Sequence, residues 1–341
     1  MSKKKALITG ITGQDGAYLA KFLIKKNYIV VGGERENRNN NRWRLEALNI
    51  KNKVKFVSFE LMNENIINNE IKTGKYDEIY NLAAQSYVDK SFNNPIYTSD
   101  VNSLGVMRLL EAIREFSSNT KLYQASSSEM FGNVNSIQHN EETNFNPVSP
   151  YAVSKLYAHK MVEVYRNAYN LFCCSGILFN HTSPLRGNEF VTKKIIIDLI
   201  KIKLKIIPCL FLGNIHVKRD WGYSVDYVEA MWKILQHKEP EDFVISTGVA
   251  HTVKDFINKV AIYLELDIKW KGKGLNEVAI CNHTNEEIIK INKEFFRPND
   301  IDTTFGNSFK AKKLLKWKPK TDFESLIKIM CDAEIKKFND F

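Results

Sequence analysis

The chain predicts an α/β protein: a Rossmann-type, doubly wound parallel sheet with a smaller mixed α/β substrate-binding lobe. Three observations carry that reading. Short, continuously apolar runs alternate with amphipathic stretches through the first half, as strands covered on both faces by crossover helices require. A glycine-rich turn, Gly10-Ile-Thr-Gly13-Gln-Asp-Gly16, follows the first apolar run directly. Beyond about Asn180 the alternation gives way to short elements punctuated by Ser183-Pro184, Pro208, Gly213 and Pro240.

The elements follow in order. Ala6–Thr9 reads as the first strand, and the helix after the glycine turn places Tyr18, Leu19, Phe22 and Leu23 on one face. Ile29–Val31, Val54–Val57, Glu78–Leu82, Lys121–Gln124 and Cys173–Leu178 are the next five strands, with a long helix from about Pro150 to Asn170 between the last two. Glu34–Arg44 is polar and asparagine-rich with four arginines. It is either a solvated loop or one that holds a cofactor phosphate or reaches a neighbouring subunit. Lys194–Lys203 and Asp226–Leu235 read as apolar helices of the second half. The expected division is 1–180 for the dinucleotide-binding domain and 181–341 for a mainly substrate-binding lobe, with some elements interleaved into the first.

Composition bounds the function. At 341 residues, 44% hydrophobic and 26% charged, the chain can bury one large core or two packed ones. Met1–Lys5 runs straight into Ala6-Leu7-Ile8, too short an apolar run for a secretion signal. No run approaches the ~20 apolar residues that span a bilayer. Five cysteines, odd in number and without a CxxC pair, argue against structural disulfides and a zinc site, so a cytoplasmic setting and no metal are expected. The net charge of +10 comes from lysines spread among acids, as at Lys310–Lys313. With no nucleic-acid-binding motif, it suits phosphorylated small molecules and solubility.

The glycine turn is the strongest cofactor signal. Close backbone approach lets a pyrophosphate reach the free N–H groups at a helix N-terminus. Gly10, Thr12, Gly13, Gln14, Asp15 and Gly16 are therefore the expected dinucleotide cradle. After the second strand, Glu34-Arg35-Glu36-Asn37-Arg38 offers both cofactor chemistries. Arg35 and Arg38 suit a 2′-phosphate and Glu36 a 2′-hydroxyl; the reading is NADP, with NAD as the alternative. Glu60, with Leu61 beside it, either reaches the adenine edge or is a surface acid. Leu82, Ala83 and Ala84 form a small-residue floor beneath the adenosine, although tight helix–strand packing selects similar residues.

Tyr151 and Lys155 lie one helical turn apart and project from one face. A tyrosine with a pKa near 10 is a poor base at neutral pH. A nearby ammonium and an oxidised nicotinamide would each favour its phenolate, and Lys155 could also hold the nicotinamide ribose. Pro150 suits the first turn of that helix. Ser127, Ser128 and Glu129 follow a strand that should end at the cofactor. A Tyr–Lys pair alone points to redox chemistry at a carbinol. A carboxylate beside it, placed where burial demands a partner or a task, points to removal of a second proton from carbon, hence elimination. The alternative is a structural acid capping a loop.

These residues, in this order, resemble the extended short-chain dehydrogenase/reductases, and among them the GDP-mannose 4,6-dehydratase family. The likeness runs from about residue 5 to 335 and rests on Gly10–Gly16, Asn81–Ser86, Tyr123–Ser126 with Ser128-Glu129, Gly176–His181, Phe190–Lys194, Lys218–Gly222, Asp226–Trp232, Arg297-Pro298 and Trp317–Pro319. The resemblance implies a GDP-sugar 4,6-dehydratase acting by transient C4 oxidation, water elimination across C5–C6 and hydride return to C6. Tyr151 would take the O4 proton and Glu129 the C5 proton, with Ser128 or Glu129 protonating the departing C6 hydroxyl. Ser86, Asn180, Lys194, Arg219 and Arg297 are the implied substrate ligands. Read alone, each cation could be a surface charge, and Arg219 could pair structurally with its neighbours Asp220-Trp221. A homo-oligomer, dimer or tetramer, is implied, and a role in deoxysugar biosynthesis.

The departures fall around the sugar and the cofactor loop. Ser127 stands where the family usually has threonine, Tyr87 and Tyr223 where it has histidine, and Thr182 and Leu185 where it has an acid and a cation. The loop expected as Arg-Arg-Ser-Ser-Ser is Arg35–Asn39. Tyr151, Lys155 and Glu129 are untouched, so the same reaction is expected, on GDP-mannose, a GDP-manno-heptose or another hexose. A C4 epimerase or 4-dehydrogenase would need no base for C5. A regulatory nucleotide-binding module would need no intact dyad.

Overall fold

The computed structural model describes residues 3–35, 41–133, 138–297 and 299–339. Glu36, Asn37, Arg38 and Asn39 of the cofactor argument, and Pro298, lie outside them. The first half alternates as the apolar runs require: β1 (Lys5–Thr9), α1 (Gln14–Lys25), β2 (Ile29–Glu34), α2 (Trp43–Ala47), β3 (Lys55–Ser58), α3 (Glu64–Gly74), β4 (Glu78–Asn81), α4 (Val88–Asn93), α5 (Pro95–Ser99), α6 (Gly105–Phe116), β5 (Lys121–Ser127), α7 (Pro150–Tyr169) and β6 (Cys173–Leu178). The second half continues with β7 (His181–Thr182), α8 (Val191–Lys203), β8 (Leu210–Leu212), β9 (Lys218–Arg219), β10 (Gly222–Tyr223), α9 (Ser224–Gln236) and β11 (Phe243–Ile245). After these come β12 (His251–Thr252), α10 (Val253–Tyr263), β13 (Ile268–Lys271), β14 (Val278–Cys281), β15 (Glu287–Ile291), β16 (Thr303–Thr304), α11 (Phe309–Leu314) and α12 (Phe323–Asn339).

The main sheet has seven strands in the order β3-β2-β1-β4-β5-β6-β11, all parallel. The strand order reverses between β1 and β4, which opens a crevice at their carboxyl ends. One face is covered by α1 and α9, where Leu19, Leu23, Val228, Met231 and Leu235 share a core. The other is covered by α3, α6 and α7 through Ile67, Leu109, Ile113, Ala158 and Val162. The seventh strand, β11, belongs to the second half of the chain, so that half contributes directly to the sheet.

The remaining second-half elements build their own core. A four-stranded sheet, β13-β14-β15-β8, packs with α8, α10 and α12 around Ile196, Leu199, Phe256, Ile289, Leu326 and Met330. Helix α7 is bounded as its sequence dictates: the Ser149 hydroxyl accepts from Ala152 N–H, Pro150 opens the first turn, and Asn170 closes it in the left-handed conformation. Among the described residues, no helix is long and apolar enough to cross a membrane, and all five cysteines are free.

Candidate active site

The crevice between β1 and β4 is a cavity of about 590 Å³. Its floor is the glycine turn, with Gly10, Thr12, Gly13, Gln14, Asp15 and Gly16 all lining it, and Leu82 and Ser86 stand opposite. Gly10 has φ +67°, and a side chain there would meet the Ala83 backbone nitrogen at 2.8 Å, so this turn closes only with glycine. Gly13 caps α1 with no side chain bonded to its first N–H groups. The Thr9 hydroxyl donates to Asn81 Oδ1 (2.6 Å) and accepts from the Leu82 and Ala83 N–H groups, which fixes the β4 end against the turn. Asp15 accepts from His181 Nε2 at 2.8 Å, and Ser183 donates to Gln14 at 2.7 Å. Burial works against its charge, but His181 and Arg186 together hold the Asp15 carboxyl below its usual range.

The catalytic candidates meet where β5 ends over the start of α7. Ser127 closes β5, and a 3₁₀ turn, Ser128–Phe131, buries Ser128 and Glu129. The Ser127 hydroxyl accepts the Glu129 N–H at 3.3 Å and lies close enough to the Tyr151 phenol to favour its ionised form. Burial pushes the Tyr151 hydroxyl up to about 12; Ser127 and Arg186 favour its ionised form, and the Glu129 charge opposes it. Arg186 is a cation that the sequence argument, which rested on Lys155, did not include. The Lys155 ammonium donates to the Ala125 carbonyl at 2.9 Å and stands 5.9 Å from the Tyr151 ring centre. Burial pulls its pKa down to about 8.

Two groups outside the sequence-derived set support this pair. Asp100–Leu104 forms a π-helical turn between α5 and α6 and buries Asn102 and Ser103. Asn102 donates to the Gln85 carbonyl and to Ser154 on α7, and its own oxygen accepts from Gln85 N–H. It therefore ties the β4 loop to the helix that carries Tyr151. Arg186 lines the cavity, stacks over Phe190 at 3.6 Å and acts on both Asp15 and Tyr151. Neither role is encoded by local spacing; each depends on distances across the fold.

The substrate candidates are arranged differently. Ser86 is exposed at the cavity wall beside Tyr87, which stacks on Phe190 (5.0 Å) and bonds Glu189. The Asn180 side-chain oxygen is buried without a protein partner. Lys194 donates to the Phe211 carbonyl at 2.7 Å. Arg219 binds Asp300 (2.9 Å) and the Ile301 carbonyl (2.7 Å). Its neighbour Asp220 accepts from Thr247, Gly248 and Gly306, so the pairing considered within Arg219-Asp220 does not form. Arg297 binds Asp89 at 2.7 Å and Asp300 at 3.4 Å, and the Glu129 charge acts on it. At the cofactor end, Arg35 donates to the Tyr97 hydroxyl at 3.0 Å. Glu60 is half-buried, and Leu61 is buried with its carbonyl accepting from Arg108.

Comparison with known proteins gives the chain's family. The sequence model of a family described as GDP-mannose 4,6 dehydratase matches residues 7–330. The chain belongs to the GDP-mannose 4,6-dehydratase family. Within it, the chain is 45% identical to the Homo sapiens GDP-mannose 4,6 dehydratase over 338 residues, covering 97% of this chain and 91% of that protein. The family member from Vibrio cholerae serotype O1 is 41% identical over 354 residues, covering 99% and 95%. The fold is shared with UDP-glucose 4-epimerase from Thermotoga maritima (TM-score 0.82, 21% identity, covering 98% and 99%). It is shared equally with a dTDP-glucose 4,6-dehydratase from Streptomyces venezuelae (TM-score 0.82, 18% identity, covering 99% and 98%).

Proposed function

We propose that this chain is a GDP-sugar 4,6-dehydratase, a hydro-lyase that converts GDP-mannose or a GDP-manno-heptose to its 4-keto-6-deoxy derivative. Membership of the family sets the reaction class. The observation that carries the mechanism is a buried carboxylate, Glu129, within electrostatic reach of both Tyr151 and Arg297. Tyr151, beside Ser127, takes the proton from sugar O4. With C4–H also lost as hydride, the carbinol becomes a 4-ketone, which acidifies C5–H, and Glu129 removes that proton. Ser128 or Glu129 protonates the C6 hydroxyl as it departs. Charge on C5 and O4 develops only after oxidation, so a base placed beside the dyad acts on the ketone and not on the starting sugar.

The cavity suits a dinucleotide: an uncapped helix N-terminus faces it, a glycine cradle allows close approach, and Arg44 braces the cradle through the Thr12 carbonyl at 3.0 Å. Gly10–Gly16, Leu82–Ala84, Tyr151 and Lys155 would hold the cofactor, with Glu60 and Leu61 near the adenine. Bound there, a nicotinamide supplies the hydride acceptor and later its donor. Among proteins of this fold, one structure from Thermus thermophilus holds NAD and one from Pseudomonas aeruginosa holds NADPH. For this chain the reading is NADP, with Arg35 and the Tyr97 hydroxyl at the 2′-phosphate. Residues 181–341 form most of the nucleotide-sugar lobe, where Asn180, Lys194, Arg219 and Arg297 meet the GDP moiety and Ser86 the sugar.

The protein assembles as a homo-oligomer. Ile96, Leu104, Val153, Tyr157 and Val164 are exposed apolar side chains on and around α7, and an isologous helix pair would cover them.

The test is incubation of purified protein with GDP-mannose and, separately, GDP-D-glycero-D-manno-heptose, following product mass and cofactor absorbance. Loss of one water without net accumulation of reduced cofactor is the expected result, and the faster substrate names the sugar. Oxidation without water loss would make the chain a 4-dehydrogenase and remove Glu129 from its role.

A further inference from the structure

We propose that Arg42 makes this chain selective for NADP by occupying the carboxylate of Glu34, an inference that rests on the NADP reading above. Glu34 is the last residue of β2, next to Gly33, which pairs with Thr9 at the end of β1. It therefore stands at the carboxyl end of the second strand, beside the glycine turn. An acid at that place accepts the ribose hydroxyls of NAD and repels a 2′-phosphate. Glu34 supplies that acid, more directly than Glu36, yet it is not available.

Arg42 takes both of its oxygens. Arg42 Nε donates to Oε2 at 3.0 Å and Nη2 donates to Oε1, a bidentate pair. The same guanidinium lies 3.7 Å over the ring of Phe56 on β3, which fixes its plane. The Glu34 side chain is 8% exposed and that of Arg42 23%, so little solvent competes for the pair. The acid's charge is thereby balanced in place and both of its oxygens are engaged. Among the described residues, the next residue, Arg35, bonds one neutral group, the Tyr97 hydroxyl. Among the described residues, the strand end thus offers the positive charge of Arg35 to the 2′ position although its terminal residue is acidic.

Dissociation constants for NADP+ and NAD+, measured by calorimetry on the full chain, test this in wild type, Arg42→Met, Glu34→Gln and the double variant. Methionine retains packing on Phe56 and frees the carboxylate. The expected result for Arg42→Met is a fall of about 10–100-fold in the NADP-over-NAD preference, the scale of one charged hydrogen-bonding group. Glu34→Gln alone keeps the wild-type preference, and the double variant returns to within a few-fold of it. A preference unmoved in Arg42→Met overturns the proposal. So does a double variant shifted as far as the single one, because the effect would then come from the lost cation and not from the released acid. If Arg42→Met melts below the assay temperature, Arg42→Lys, which gives up one of the two bonds, must shift in the same direction, and an unmoved ratio there is equally fatal. A wild-type chain that binds NAD more tightly refutes the NADP reading itself, and that is visible before any variant is made.

Discussion

The two sides of the site differ in how their charges are held. On the cofactor side, the glycine turn, the Thr9–Asn81 bridge and the Asp15–His181 pair shape a cavity whose floor is backbone N–H and glycine. On the nucleotide side, each candidate cation already has a protein acceptor: Lys194 the Phe211 carbonyl, Arg219 and Arg297 the shared carboxylate of Asp300. On the proposed reading, a dinucleotide would meet a preformed cradle and the sugar nucleotide would meet cations that must trade partners.

The sharpest way to break this comparison is at the base between the two sides. Glu129→Gln is expected to lower turnover by about 10²–10⁴-fold. In rapid-scan absorbance it accumulates reduced cofactor, because C4 oxidation precedes its step. Tyr151→Phe loses as much activity but forms no reduced cofactor. Equal spectra for the two variants would remove the division of labour.

Lys155→Met comes next and separates function from stability. Burial holds Lys155 near 8, below its ordinary 10.5. Below about pH 8 the folded protein keeps a desolvated ammonium; between 8 and 10.5 the unfolded chain binds a proton that the folded one lacks, so stability contributed here rises with pH. The cofactor-free variant should be more stable than wild type at pH 7 by about 1–3 kcal/mol. That advantage shrinks toward pH 10, while turnover is lost; denaturant melts at the two pH values measure it.

The smallest expected effect is at Asp300. Asp300→Asn leaves Arg219 and Arg297 without the carboxylate they would otherwise have to give up, so the KM for the GDP-sugar should fall about 5–10-fold, the scale of one charged hydrogen bond, with kcat unchanged. A KM that does not move would mean that neither arginine contacts the nucleotide.

The six first-half strands were legible because each is a continuous apolar run, and the glycine turn because its position after β1 leaves few other uses. β11 was not: Phe243–Ile245 is three residues long, and it joins the sheet only because α9 returns the chain to the edge of β6. Tyr151, Lys155, Ser127 and Glu129 come together where the sequence placed them, at one end of β5. A second cation near the phenol was not legible: Arg186 reaches it only because the 183–190 segment folds back over the cavity. Arg42 sat inside a loop read only for its composition; its partner lies eight residues back, and no periodicity links the two.

Gly132 ends the turn that carries Glu129, with φ +60°, and a methyl group there would stand 1.8 Å from the Asn146 carbonyl oxygen. One position later, Asn133 is bonded to Asp300 and Asp302 of the nucleotide lobe. Natural variation in this enzyme is thus fenced on one side. Substitutions that reshape the site fall on its walls, at places such as Tyr87, while the turn that carries Glu129 is closed to a side chain at position 132.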